Sequence, residues 1–147
     1  MPVSRTGGTL TMMDGVSSAE ELPVTVRVLI VDDQEPFRLA ARMVVEATDG
    51  FEVVGESESA EESIELARSL QPDLVLMDVN LPAMNGLDAT RRIREESSRV
   101  VVLILSTYEA DEYAPRAAEA GAAAYIPKSA FGPDALAEAW RDATAVA

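Results

Sequence analysis

The stretch Asp73-Leu-Val-Leu-Met-Asp78-Val-Asn80-Leu-Pro82-Ala-Met-Asn85-Gly86 decides how the chain is read: an apolar run ends abruptly on one carboxylate and then breaks into a turn. Four successive apolar residues, Leu74 to Met77, suit a strand buried on both faces, as in a parallel sheet covered by helices. Charge does not belong inside such a strand. At its carboxyl end, Asp78 faces the crevice where open α/β sheets bind their ligands. An Asp beside Pro and Gly also commonly does no more than cap a turn, and this stretch alone does not separate the two readings.

The pattern recurs upstream. Val26-Arg-Val-Leu-Ile-Val31 is β-branched and apolar and runs straight into Asp32-Asp33. A helix follows, with Pro36 near its first turn and Phe37, Ala40, Ala41, Val44 and Val45 spaced for one buried face. Helix capping accounts for one Asp at such a start better than for two adjacent, mutually repelling ones. Gly50 closes this helix, and Phe51 to Ser57 reads as a second strand. Ser59 with Glu62 makes a capping-box pattern for a helix whose Ile64, Ala67 and Leu70 line one face until Pro72 stops it.

Beyond Gly86, Leu87, Thr90 and Ile93 are expected to turn inward, leaving Arg91, Arg92 and Arg94 on a solvated face. A fourth strand, Val100 to Leu105, leads to Ser106-Thr107. In a helix begun at Asp111, Pro115 deletes an intrahelical hydrogen bond; the fourth helix is therefore expected to start near Pro115, after a loose loop over 107–114, and to end at Gly121. Ala122 to Ile126 is a short fifth strand, followed by Pro127-Lys128. Gly132-Pro133-Asp134 opens a last helix that packs through Leu136, Ala139 and Trp140.

Strand and helix alternate five times over about 120 residues, which predicts a parallel sheet with helices on both faces joined by right-handed crossovers. The fold expected is α/β, a doubly wound five-stranded parallel sheet in the flavodoxin-like order 2-1-3-4-5. In that order the carboxyl ends of strands 1, 3, 4 and 5 are neighbours, and they deliver Asp32-Asp33, Asp78, Ser106 and Lys128 to one rim. Three crowded carboxylates resist full ionisation unless a cation joins them, and hard oxygen donors suit Mg2+. Lys128 is the single lysine of the chain. An ammonium, a Mg2+ ion and a small hydroxyl around one carboxylate are the groups that hold a transferring phosphoryl.

Composition narrows the function classes. The 147 residues, 48% apolar and 26% charged, fit one globular domain. A formal charge of −14 speaks against direct nucleic-acid binding, which needs clustered Lys and Arg, and suits a cation, a basic protein surface or plain solubility. The chain has no cysteine, hence no disulfide framework, and its longest apolar run, Val100 to Leu105, falls far short of the roughly 20 residues that span a bilayer. Residues 1–25 show neither periodicity nor a signal-peptide apolar region and read as a disordered leader, with Met12 and Met13 as alternative starts. The domain itself is expected over residues 26–142, with a tail from 143 to 147, in the cytoplasm.

Taken together, Val-Asp32-Asp33, Leu-Met-Asp78-Val-Asn80-Leu-Pro82 with Gly86, Leu-Ser106-Thr107 and Tyr125-Ile-Pro-Lys128 resemble the receiver domain of two-component response regulators. The resemblance implies that Asp78 is the phosphoacceptor, taking a phosphoryl group from the phosphohistidine of a sensor histidine kinase. It further implies that Asp33 and Asp78 bind Mg2+ directly, Asp32 directly or through water, and Asn80 through its backbone carbonyl. Lys128 is expected to pair with Asp78 and then with the phosphoryl, Ser106 to swing onto a phosphoryl oxygen, and Tyr125 to move inward with it. Output then passes through a surface change near the fourth helix and fifth strand to a downstream protein that the sequence leaves unnamed. Phosphorylation-dependent dimerisation stays open. Such a domain catalyses only its own phosphorylation and dephosphorylation.

Several positions depart from the commoner family pattern. Ser106 stands where Thr is more frequent, Thr107 where a smaller residue is usual, and Asn80 and Tyr108 occupy positions that tune acyl-phosphate lifetime. Only seven residues follow Trp140, which suggests a stand-alone receiver; the alternatives are a receiver excised from a longer DNA-binding regulator and a receiver-like module that never takes phosphate. A phosphatase of the haloacid dehalogenase type wants an acidic residue where Asn80 stands, and a flavodoxin wants a phosphate loop where Asp32-Asp33 repel one. With no histidine, the chain cannot be its own phosphohistidine donor.

Overall fold

The computed structural model describes residues 25–81, 84–107 and 110–145, the side chains of 110–113 excepted. The expected leader, apart from Thr25, and Tyr108 lie outside the described residues. Five strands, β1 (Val26–Val31), β2 (Phe51–Ser57), β3 (Leu74–Asp78), β4 (Val101–Ser106) and β5 (Ala124–Pro127), alternate with five helices, α1 (Glu35–Glu46), α2 (Ala60–Leu70), α3 (Gly86–Glu96), α4 (Ala110–Ala120) and α5 (Pro133–Thr144). The strands form one parallel sheet in the order β2-β1-β3-β4-β5, as the alternation of elements predicts.

Side-chain alternation along the central strands builds two cores, because successive residues of a strand face opposite sides. Leu29, Val31, Val75, Met77, Val102 and Ile104 pack under α2, α3 and α4, with Ile64, Ile93, Ala117 and Ala120. Val28, Ile30, Leu74, Leu76, Leu103 and Leu105 face the other way, onto Ala41, Val45 and Leu136. Trp140 of α5 meets Phe51 of β2 edge to face at 6.2 Å, tying the last helix to the edge strand. Each strand residue from Leu74 to Met77 is at most 1% exposed, so this run is covered on both faces.

Local signals explain where the elements start and stop. Pro36 sits in the first turn of α1, where an amide proton has no intrahelical partner. Ser59 accepts the Glu62 amide at 3.1 Å; Glu62 reaches back to the Glu58 amide and Ser57 Oγ, one residue earlier than a standard capping box. Gln71, in a left-handed conformation with φ of 50°, ends α2. Asn85 caps α3 by accepting the Asp88 amide at 3.0 Å.

Four local expectations are corrected. Helix α4 begins at Ala110, with Pro115 inside it, in place of a loop reaching to Ala114. Pro115, its sixth residue, costs the one hydrogen bond that an amide there would give the Asp111 carbonyl, while Ala117 and Ala120 anchor the helix in the core. Arg94 does not join a solvated face: its Nη1 donates to the Val100 carbonyl at 2.9 Å and its stem lies against Gly121. Ala40 is exposed, because Ala41 and Val45 alone carry the fully buried seam of α1. The fifth strand starts at Ala124, since Gly121 turns with φ of 102° and the Ala122 amide still bonds back to the Ala117 carbonyl.

Candidate functional site

Register places the site. In the ladders Val31 pairs with Met77, Asp78 with Leu105 and Ser106 with Pro127, so the carboxyl ends of β1, β3, β4 and β5 lie at one level. Asp32, Asp78, Ser106 and Lys128 therefore share one rim of the sheet. One ligand oxygen from each of Asp32, Asp33 and Asp78 can be chosen so that all three lie within 4.8 Å of one another. Asp32 is 1% and Asp78 5% exposed, and Asp33 faces solvent.

Asp32 is fixed on every side. Its amide donates to the Ser57 carbonyl at 3.0 Å, extending the β1–β2 ladder by one residue. Its Oδ1 accepts the Gln34 amide at 2.9 Å, and its carbonyl oxygen accepts Arg38 Nη1 at 2.8 Å. Its Oδ2 is left for a cation, and the Lys128 ammonium lies 2.7 Å away as an ion pair. The same ammonium is 3.6 Å from Asp78 Oδ1, so the lysine leans to Asp32 where pairing with Asp78 was expected. Beneath it, the ring of Phe37 lies 4.3 Å from Nζ, a cation–π contact that holds the ammonium from its apolar side.

Burial pushes the Asp78 carboxyl up to about 6 from 3.8; the charge of Asp32 adds to the rise, and Lys128 and the Asn80 amide, 3.4 Å from Oδ1, oppose it. Three carboxylates crowded within 4.8 Å make a site that gains from a divalent cation, and three hard oxygen donors fit Mg2+.

Gly86 brings the start of α3 against the end of β3. Its amide bonds to the Val79 carbonyl at 3.0 Å, and a Cβ at this position would overlap the Asp78 carbonyl oxygen and stand 2.9 Å from the Asp78 carbonyl carbon. Only glycine permits that approach. Thr90 Oγ1 secures it by donating to the buried Gly86 carbonyl at 2.7 Å. Ser106 is fully buried at the end of β4, and Tyr125 is half-buried on the side of the sheet covered by α2, α3 and α4. Asn80 is exposed.

A groove of about 740 Å³ lies between α2 and α3 around Gln71, Pro72 and Asp73, at the opposite end of the sheet. It includes none of the strand-end residues, so here the chemistry, and not the size of the cavity, locates the site. Sequence reasoning placed Phe37 in the core and passed over Arg38. Their signal is position: they follow Asp33 by four and five residues, and side chains of a first helical turn lean back toward the loop before it.

Residues 28–141 match the response regulator receiver domain family, and the chain belongs to it. It is 41% identical over 105 residues to the response regulator GacA of Pseudomonas viridiflava, covering 71% of this chain and 49% of that protein. The chain thus spans about half the length of the curated relatives it matches. Among solved structures, a LuxR-family two-component response regulator from an Aurantimonas species superposes with a TM-score of 0.72 at 37% identity, covering 78% of this chain and 81% of that one. The response regulator domain of Thermotoga maritima CheB gives 0.73 at 25% identity, with coverage of 81% and 96%. Among the described residues no helix is long and apolar enough to cross a membrane.

Proposed function

We propose that Asp78 accepts a phosphoryl group from the phosphohistidine of a sensor histidine kinase in the cytoplasm. The observation that carries this reading is the meeting of Asp32, Asp33 and Asp78 with Lys128 on one rim of a receiver-family sheet. An Asp78 carboxylate oxygen attacks phosphorus in line; its P–O bond forms as the donor's P–N bond breaks, and the leaving imidazole nitrogen takes up a proton. Asp33 and Asp78 would hold Mg2+, with Asp32, directly or through water, and the Asn80 carbonyl as further oxygen donors. The ion, when bound, offsets the charge that the carboxylates and the phosphoryl oxygens bring together.

Lys128 then leaves Asp32 for the phosphoryl oxygens, a short move for an ammonium already 3.6 Å from Asp78. Ser106 hydrogen-bonds a phosphoryl oxygen, and Tyr125 turns from its half-buried place to follow it, changing the surface of α4 and β5. Shifting a population from 1:99 to 99:1 takes roughly 5.5 kcal/mol, more than one hydrogen bond supplies, so the lysine and cation contacts must also differ between the two states.

The test is intact mass after incubation with Mg2+ and acetyl phosphate. An adduct of one phosphoryl group on the wild type and none on Asp78→Asn supports the reading. A folded wild type with no adduct sinks it and leaves a receiver-like binding module. A second reading, favoured by relatives about twice the length of the matched stretch, makes the domain the regulated part of a longer DNA-binding regulator. Reading the gene on either side of these residues decides between that and a stand-alone receiver.

A further inference from the structure

We infer that Arg38 is a positioning residue for the cation site, holding the Asp32–Asp33 loop in its metal-binding shape, with Glu56 as the group that aims it. The inference rests on the phosphoacceptor reading above, through its Mg2+ site. Arg38 stands on the first turns of α1 and reaches back over the loop. Its Nη1 donates to the Asp32 carbonyl at 2.8 Å, and its Nε faces Glu56 Oε1 at 3.3 Å. The side chain is 13% exposed, so little water competes for these contacts.

Glu56 is itself held. Its Oε2 accepts Arg42 Nε at 2.7 Å and pairs with Arg42 Nη2, and Arg42 Nη1 pairs with Glu46 at 3.2 Å. A charged chain thus runs from the outer face of α1 through the end of β2 to the main chain of Asp32. The Asp32 amide is already fixed by Ser57 and its Oδ1 by Gln34, so the Arg38 bond is the third restraint on one residue. What those three restraints leave to meet a cation is Asp32 Oδ2, which lies 2.7 Å from the Lys128 ammonium, and, one residue on, the exposed carboxylate of Asp33. Groups that orient metal ligands through hydrogen bonds commonly change affinity tenfold to a hundredfold when removed.

Mg2+ affinity is measured by calorimetric titration of the full chain, with the thermal midpoint recorded for every variant. Arg38→Met, which keeps the stem, is expected to weaken Mg2+ binding about tenfold to a hundredfold. Arg38→Lys, which restores one donor and the charge, is expected to recover part of it. Glu56→Gln is expected to give a smaller loss that does not add to that of Arg38→Met, because Glu56 acts through the arginine. If Arg38→Met leaves affinity within threefold of a wild type that binds Mg2+ and takes a phosphoryl, the inference alone is overturned. A loss that only follows the fall in thermal midpoint, with no recovery in the lysine variant, also overturns it. Should Arg38→Met fail to fold, the Lys and Gln variants decide on the same criteria. A wild type that binds no Mg2+ removes the metal site and this inference together.

Discussion

One strand carries an aspartate at each end, and the two have opposite fates. Asp73, just before β3, is exposed; its Oδ2 accepts the Arg27 amide at 2.9 Å, while Arg27 Nη1 donates to the Leu70 and Gln71 carbonyls at 2.8 and 2.7 Å. Asp78, at the other end, is buried beside two more carboxylates, with a pKa raised to about 6. At the amino-terminal edge each charge has a partner, and the carbonyls left open by the left-handed end of α2 are satisfied. At the carboxyl edge three carboxylates crowd together with one ammonium among them. The first arrangement stabilises the fold, and the second holds back stability that a bound cation would release.

Three substitutions test that contrast. Gly86→Ala, which forces a Cβ into the Asp78 backbone, is expected to cost about 3 kcal/mol or more in denaturant unfolding. A loss under about 1 kcal/mol would show that the α3 start yields readily and that the carboxylate rim is not tightly built.

Asp78→Asn is expected to act in the opposite direction, raising stability at neutral pH without Mg2+ by at most about 3 kcal/mol, the rise from 3.8 to about 6 converted at 1.36 kcal/mol per unit. The sign follows from the raised pKa. Proton-linked stability from Asp78 is full below about 4 and is lost as pH rises through about 6, so metal-free wild type should lose stability across that window more steeply than Asp78→Asn. Thermal melts of both proteins at pH 4 and pH 7 check it; parallel behaviour would mean that the carboxylate sits there without strain.

The smallest effect is expected at the paired end. Asp73→Ala should cost about 1 kcal/mol, one hydrogen bond to a charged acceptor at an exposed edge, and leave the phosphoryl adduct unchanged. Loss of the adduct in that variant would mean that the two ends of β3 are coupled.

Much of this was legible in the residues. The apolar runs Val26–Val31 and Leu74–Met77, each stopped by Asp, mark buried parallel strands and their carboxyl ends, because a charge cannot lie within a strand covered on both faces. Five alternations then give the sheet order, and the order gives the rim. Helix α4 was misread because Pro115 was weighed as a local breaker, while the burial of Ala117 and Ala120 outweighs one missing hydrogen bond. Arg94 was misread because a helical face was assigned by spacing alone, and its partner carbonyl belongs to residues beyond the helix.

The opening stretch by itself determined that Asp78 ends a buried strand, since strand periodicity and the cost of buried charge are local facts. Only the tertiary structure decided what surrounds it. Lys128 resting nearer Asp32 than Asp78, Phe37 under that lysine, Arg38 on the Asp32 carbonyl and Gly86 against the Asp78 backbone all join residues far apart in the chain or on different elements. Such contacts depend on ladder register and on the angle at which helices leave the sheet, and neither quantity is written in the periodicity of any one segment.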